Sequence, residues 1–290
     1  MNTPLFRPPA EAASLILQVD QGCPYNRCTF CGMYRNVPYR KLSMNDIQSL
    51  VAKEARTLPA AKRIFLADGD VMRRSYGDLR EILVLLNEHF PRLARVNLYA
   101  TGSSIAAKSE QQLRDLGSLK LHTLYMGLES GDEGILKQCR KKETAAQMVD
   151  AGIMAQAAGL RLSVMVLLGL GGADHTEAHA EHTAAALNRM QPRLLSALRV
   201  IPVEGTALFD DVVSNRFRQL TEHQVVQELR SLVDELELRG TVFRANHSSN
   251  VVPLEARFPR DKQLLLAEID TLLASDALDK LSPGPTPLWL

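Results

Sequence analysis

Six short apolar runs, at residues 14–19, 63–67, 95–100, 122–128, 161–168 and 194–201, alternate along the chain with amphipathic stretches at 45–57, 77–90, 109–116, 144–158 and 176–190. Runs of that length rich in Leu, Ile, Val or Tyr are strands, and the stretches between them carry helical periodicity. Such alternation predicts parallel βα units, because parallel neighbours can be joined only by a long crossover. Six strands are too few to close an eight-stranded barrel. Ser43 and Thr221 stand ahead of helical stretches as N-caps. With 290 residues and 46% hydrophobic content, the chain can bury one large core. We expect residues 1–240 to form that core and residues 241–290 an extension packed on it. The extension holds a strand at 241–245, a helix at 260–273 and a mobile Pro-rich tail at 282–287, with Val242, Phe243, Leu264, Leu265 and Ile269 buried.

Three of the four cysteines, Cys23, Cys28 and Cys31, directly follow the first strand. Three thiolates on one strand-to-loop turn can hold three irons of a cubane and leave the fourth open to an outside ligand. A structural zinc site would want a fourth Cys or His nearby, and the next histidine in the chain is the distant His89. Disulfides fit poorly, since three close cysteines cannot pair evenly and residues 1–11 carry no apolar secretory segment. Cys139 lacks a Cys-x2-Cys partner and reads as an unligated thiol.

The Cys-x4-Cys-x2-Cys run after a first strand, with Phe30 just before its last cysteine, resembles the radical S-adenosylmethionine (radical SAM) superfamily. Most members have three residues between the first two cysteines, and this chain has four, as some branches do. The resemblance covers roughly residues 14–205 and implies an α/β fold, a partial (β/α)6 TIM-like barrel with a C-terminal helical extension. The C-terminal portion is similar to those of Elongator-like and methylthiotransferase-like members, with the substrate branch unidentified. Also implied are a [4Fe-4S] cluster on Cys23, Cys28 and Cys31, and S-adenosylmethionine (SAM) as the ligand of its open iron. An electron donor such as flavodoxin or ferredoxin then drives cleavage of SAM to a 5′-deoxyadenosyl radical, while the protein supplies orientation and excludes water.

A barrel carries its chemistry at the C-terminal ends of its strands. After the second strand, Gly69 and Asp70 stand where the family has its Gly-Gly-Glu type motif, whose backbone and acid accept the SAM amino group. The third strand runs into Thr101 and Ser103, hydroxyls that suit either ribose and carboxylate oxygens or a helix cap. At the fourth, Glu129 lies in a Gly-x-Glu-Ser segment that supplies a polar SAM contact in the family, and Lys141 resembles the basic position that pairs with the SAM carboxylate. Glycines at 169, 171 and 172 would let adenine lie against the backbone, and Arg199 in the sixth strand suits an anionic group or a structural ion pair. His175, His179 and His182 share one helix face, where neighbouring acids point to a solvated surface. In the loop after the strand at 241–245, His247 and Asn250 suit backbone capping or substrate contact.

A net charge of +1 gives no global attraction to nucleic acid or membrane, and no stretch reaches eighteen apolar residues, so a cytoplasmic protein is expected. One spare cysteine cannot build an auxiliary cluster, which argues against sulfur insertion and methylthiolation. The reading favoured is hydrogen abstraction from a small-molecule substrate, with nucleic acid and membrane disfavoured as partners. One alternative is modification of RNA or a peptide, with Arg73, Arg74 and residues 140–142 as a basic rim. Another is a non-catalytic iron–sulfur or zinc protein.

Overall fold

A computed structural model of the chain describes residues 5–279, so the Pro-rich stretch at 282–287 lies outside the described residues. The fold is α/β, a mostly parallel sheet of eight strands with helices, and the chain forms two compact units. Of the described residues, the first contains those up to Asn26, Met33–Met126 and Asp150–Leu162; the second contains Arg27–Gly32, Gly127–Val149 and those from Ser163 onward.

In the first unit, strand β1 (Leu15–Gln18) leads into β2 (Asp20–Gln21), which pairs antiparallel with β3 (Arg40–Lys41) at the neck of a long loop. Helix α1 (Met44–Thr57), β4 (Arg63–Ala67), α2 (Tyr76–His89), β5 (Arg95–Ala100), the short α3 (Gly102–Ala106), α4 (Glu110–Ser118) and β6 (Leu121–Glu129) as far as Met126 follow. β1, β4, β5 and β6 pair in that order, all parallel, with Leu15 against Ile64, Ile64 against Val96 and Leu98 against Leu124. Ser43 starts α1 with a reciprocal capping box to Asp46, which satisfies two of the amides that a helix start leaves open. Phe65, Tyr99 and Tyr125 meet edge to face with ring centroids 5.1–6.3 Å apart. Glu11, ahead of β1, is buried, and its carboxylate accepts from Ser14 Oγ, Asn97 Nδ2 and Tyr125 Oη.

In the second unit come α5 (Glu133–Gln138), the first residues of α6 (Ala145–Ala157), most of β7 (Arg161–Leu168), α7 (Thr176–Met190), β8 (Leu194–Arg199), α8 (Ala207–Val213), α9 (Glu222–Glu235), β9 (Thr241–Ala245), β10 (Leu254–Phe258) and α10 (Lys262–Leu273). β8 pairs parallel with both β7 and β9, and β10 returns antiparallel on β9. Thr221 caps α9 through the same reciprocal box, with Gln224 as its partner. Position 240 is the turn into β9, with Gly240 at φ +76°, so residues beyond it add two strands to the sheet as well as a helix. The buried face of α10 consists of Leu265, Leu266 and Ile269. Leu264, expected inside, is 73% exposed, because the adjacent Leu265 takes the inward position on that turn.

The loop neck in the first unit is closed by one buried ion pair. Arg74 donates from Nε and Nη2 to Asp20 Oδ1 at 3.0 and 2.7 Å, and from Nη2 to the carbonyls of Val19 at 2.7 Å and Leu42 at 2.9 Å. Both side chains are 1% exposed. Removing one partner of such a pair leaves a buried charge uncompensated, at a cost of about 3–5 kcal/mol. Arg74→Ala is therefore expected to lower unfolding free energy in urea by about that amount. A loss below about 1 kcal/mol, the value of a surface pair, would show that the pair does not close the neck.

Candidate functional site

The first unit holds Cys23, and the structure fixes it from β4. Just past that strand, Asp68 accepts from Gln18 Nε2 at 2.8 Å, from the Gly22 amide at 3.0 Å and from Tyr34 Oη at 3.2 Å. Burial raises the carboxyl's pKa and these donors pull it back down. The Gly69 amide donates to the Gly22 carbonyl at 3.2 Å, and a Cβ on Gly69 would lie 2.8 Å from Cys23 Cβ and 2.9 Å from its Cα. Gly69 is thus the residue that lets the Cys23 backbone pass. Asp70, 4% exposed, accepts from Thr101 Oγ1 at 3.0 Å. Thr101 caps α3, sharing a capping box with Ser104, and Ser103 beside it is exposed. Lys108, unmarked in the sequence, is buried with its ammonium donating to the Met72 and Ser104 carbonyls; desolvation lowers its pKa while Asp70 opposes the shift.

The second unit holds Cys28 and Cys31. The Cys31 amide donates to the Cys28 carbonyl at 3.2 Å; between them Thr29 donates to the Cys139 carbonyl at 2.9 Å and accepts from the Leu208 amide at 3.0 Å. Phe30 packs against an apolar cluster that includes Ile135, Cys139, Leu170, Leu208 and Phe217. Burial pushes the Cys28 thiol up to about 12, against the pull of the Lys141 ammonium. Lys141 Nζ lies 3.0 Å from Glu129 Oε1 and donates to the Gly127 carbonyl at 2.7 Å, with side-chain exposures of 11% and 13% for the pair. Burial works against the Lys141 charge, yet Glu129 and then Cys28 outweigh it and hold its pKa above the ordinary value. Glu129 takes φ +64°, which turns its side chain back over Gly127, where a Cβ would sit 2.0 Å from Glu129 Oε1. Arg199, 7% exposed, ends β8; desolvation lowers its pKa and Glu222 opposes the shift.

Cys28 and Cys31, brought onto one turn of the second unit, are thiols of the kind that hold iron one to each metal. The thiol of Cys28 stays protonated until a metal replaces its proton, so loading releases protons. Cys139, pushed up to about 11 by burial, gives its thiol hydrogen to the Leu136 carbonyl at 3.4 Å and packs in the apolar cluster. Among the described residues, no three His, Cys, Asp or Glu side chains are grouped as a single-ion site. The Glu129–Lys141 pair presents one carboxylate and one ammonium side by side, the complement of an amino-acid zwitterion.

The helix histidines need a correction. His182 is exposed and bonds Asp132 Oδ2 at 2.7 Å, but His179 is 2% exposed, because α7 packs on α9 along the stripe 179, 180, 183, 184 and 187. His247 bonds Ser249 inside its own loop and Asn250 Nδ2 donates to the Ala197 carbonyl at 2.8 Å, so both satisfy backbone and loop groups. Asp68 and Lys108 carry no signal at the level of sequence: an Asp-Gly-Asp turn does not say which acid points inward, and a single lysine after a short helix reads as surface.

The profile of the Radical SAM superfamily matches residues 17–186. No curated protein matches the chain in sequence. Among solved structures, methylornithine synthase (PylB) is similar with a TM-score of 0.54 and 16% identity over 89% of this chain and 81% of that one. The Elp3 of the archaeon Methanocaldococcus infernus gives 0.54 and 12%, over 79% and 58%. Coproporphyrinogen III oxidase (HemN) from Escherichia coli, a radical SAM enzyme, gives 0.58 and 12%, over 76% and 51%. At such identities the likeness is one of fold, and this chain spans little more than half of the last two proteins.

Gly69→Ala is expected to displace Cys23 and to cut iron and sulfide after anaerobic reconstitution to well below the about four of each that one cubane gives. Gly77→Ala, whose added Cβ meets nothing nearer than 3.9 Å, is the control and should load fully. Equal loading of the two variants would mean that Gly69 does not position Cys23.

Proposed function

As the chain belongs to the radical SAM superfamily, we propose that this radical SAM enzyme abstracts a hydrogen atom from a small-molecule substrate, using a [4Fe-4S] cluster on Cys23, Cys28 and Cys31 and electrons from a flavodoxin- or ferredoxin-type donor. The observation that carries this reading is the half-buried Glu129–Lys141 pair, electrostatically coupled to Cys28. When bound, the cluster and SAM supply the one-electron chemistry that yields a hydrogen-abstracting radical. The chain's own residues bind and orient. Glu129 accepts from the amino group of the amino-acid end, Lys141 donates to its carboxylate, and Phe30 with its apolar neighbours keeps water from the Cys28–Cys31 turn.

A small substrate is favoured over RNA by what has become of the expected basic rim. Arg74 is spent inside the first unit on Asp20 and backbone carbonyls, and Lys141 inside the second on Glu129 and Gly127. Arg73, Arg140 and Lys142 remain exposed, too few for a tight polyanion footprint at a net charge of +1. Among the described residues, no helix is long and apolar enough to cross a membrane.

Glu129→Ala and Lys141→Ala in the reconstituted protein are each expected to weaken SAM binding, by titration calorimetry, by about 1–3 kcal/mol, the range for losing a charged hydrogen-bond partner in a buried site. Unchanged affinity in both variants would move the SAM site elsewhere. The substrate class is tested by incubating the reduced enzyme with deuterated metabolite extract and following deuterium into 5′-deoxyadenosine. Label arriving only from RNA or peptide fractions would overturn the small-molecule reading.

A further inference from the structure

Behind Glu129, the second unit contains a buried polar network that the chemistry above does not use. Ser130 is fully buried; its hydroxyl lies 2.8 Å from His179 Nδ1 and accepts from the Asp132 amide at 3.0 Å. The Gly131 amide donates to Thr183 Oγ1 at 2.8 Å, and Gly131 lies so close to α7 that a Cβ there would sit 2.1 Å from the His182 carbonyl oxygen. On its other side, the His179 ring places Nε2 3.1 Å from the Leu167 carbonyl near the end of β7 and 3.7 Å from Glu228 Oε1. Glu228, 2% exposed on α9, accepts from the Gly169 amide and from Thr176 Oγ1, each at 2.6 Å.

The Leu167 carbonyl can only accept, so Nε2 donates to it. On the neutral ring Nδ1 then accepts from Ser130, with Thr183 Oγ1 3.4 Å away, and the Ser130 oxygen accepts from the Asp132 amide. One imidazole and one carboxylate thereby connect the turn after β6, which carries Glu129, to the glycine turn after β7. A buried network of this kind is costly when half-satisfied, so its parts hold or fail together.

We propose that His179 and Glu228 are positioning residues for the SAM site: they lock the turn after β6 and the turn after β7 into one arrangement, and SAM meets both turns already set. The proposal rests on the placement of SAM at Glu129. Neither residue is asked to touch SAM.

The experiment uses the reconstituted full chain with Ser130→Ala, His179→Gln and Glu228→Gln. His179→Gln keeps a donor for Leu167 and removes the acceptor for Ser130, while Glu228→Gln keeps the size and one acceptor. Amide hydrogen exchange is followed at residues 129–132 and 167–173, beside melting temperature, iron content and SAM affinity. Glu228 bonds Gly169 and Thr176 and reaches the turn at 129–132 only through His179, so faster exchange at 129–132 in Glu228→Gln is the sign of coupling; Ser130→Ala should likewise quicken 167–173. SAM affinity is expected to fall about tenfold in each variant with iron content unchanged, as one lost buried hydrogen bond implies. Exchange confined to the mutated turn, or a lowered melting temperature with unaltered SAM affinity, would reduce the network to a purely structural role and overturn the proposal. If the wild-type protein with a full cluster binds no SAM, the functional reading fails, and the exchange measurements still decide whether the two turns are locked together.

Discussion

A carboxylate taken out of water must be met by donors, and Asp68 is where this chain spends that requirement to most effect. Its donors come from β1, from the amide ahead of Cys23 and from a tyrosine on the far side of the cysteine loop. A loop as long as the one between β2 and β3 has much conformational freedom, and ordinary turn preferences cannot hold it. Asp68 and, at the neck, Arg74 restrain it at two places, and Gly69 supplies the room for Cys23. The placement of Cys23 is therefore a property of β4 and of the segment after it more than of the loop's own sequence.

The same economy recurs through both units. Glu11, Lys108, Lys141 and Glu228 are all buried or nearly so, and each has partners that offset its desolvation. Two of them meet backbone groups near strand ends: Lys141 the Gly127 carbonyl close to the end of β6, and Glu228 the Gly169 amide just past β7. Glu129 adds backbone strain to this pattern: a left-handed conformation in a residue with a side chain is held because Lys141 captures its carboxylate.

The strands were legible because apolar runs of five to eight residues between turn formers leave little choice of state. The N-caps at Ser43 and Thr221 were legible because a hydroxyl followed at the third position by Asp or Gln satisfies the helix start in one way. Helices α3, α5 and α8 were not, since they span seven residues or fewer, too short to show an amphipathic period. β10 carries a clear alternation in Leu-Glu-Ala-Arg-Phe, yet five residues between a proline and a turn do not announce a pairing partner. Within the site, the cysteines and Glu129 stood out by type and spacing. His179 was misread because helical periodicity says which residues share a face and not which face another helix will cover. Leu264 failed for the same reason, one position out of register with the buried stripe.

β10 stands at the end of the strand order and presents Glu255 and Arg257 outward between buried Leu254, Ala256 and Phe258. A sheet edge is an invitation to recruit a strand from another molecule, and the invitation is strongest when the edge is long, flat and apolar. Here the edge is five residues long, carries charges of both signs, and is followed at once by Pro259, which has no amide hydrogen to extend the ladder. An edge blunted in this way offers a second copy of the chain little to pair with, so the sheet ends at β10 instead of running on into another molecule.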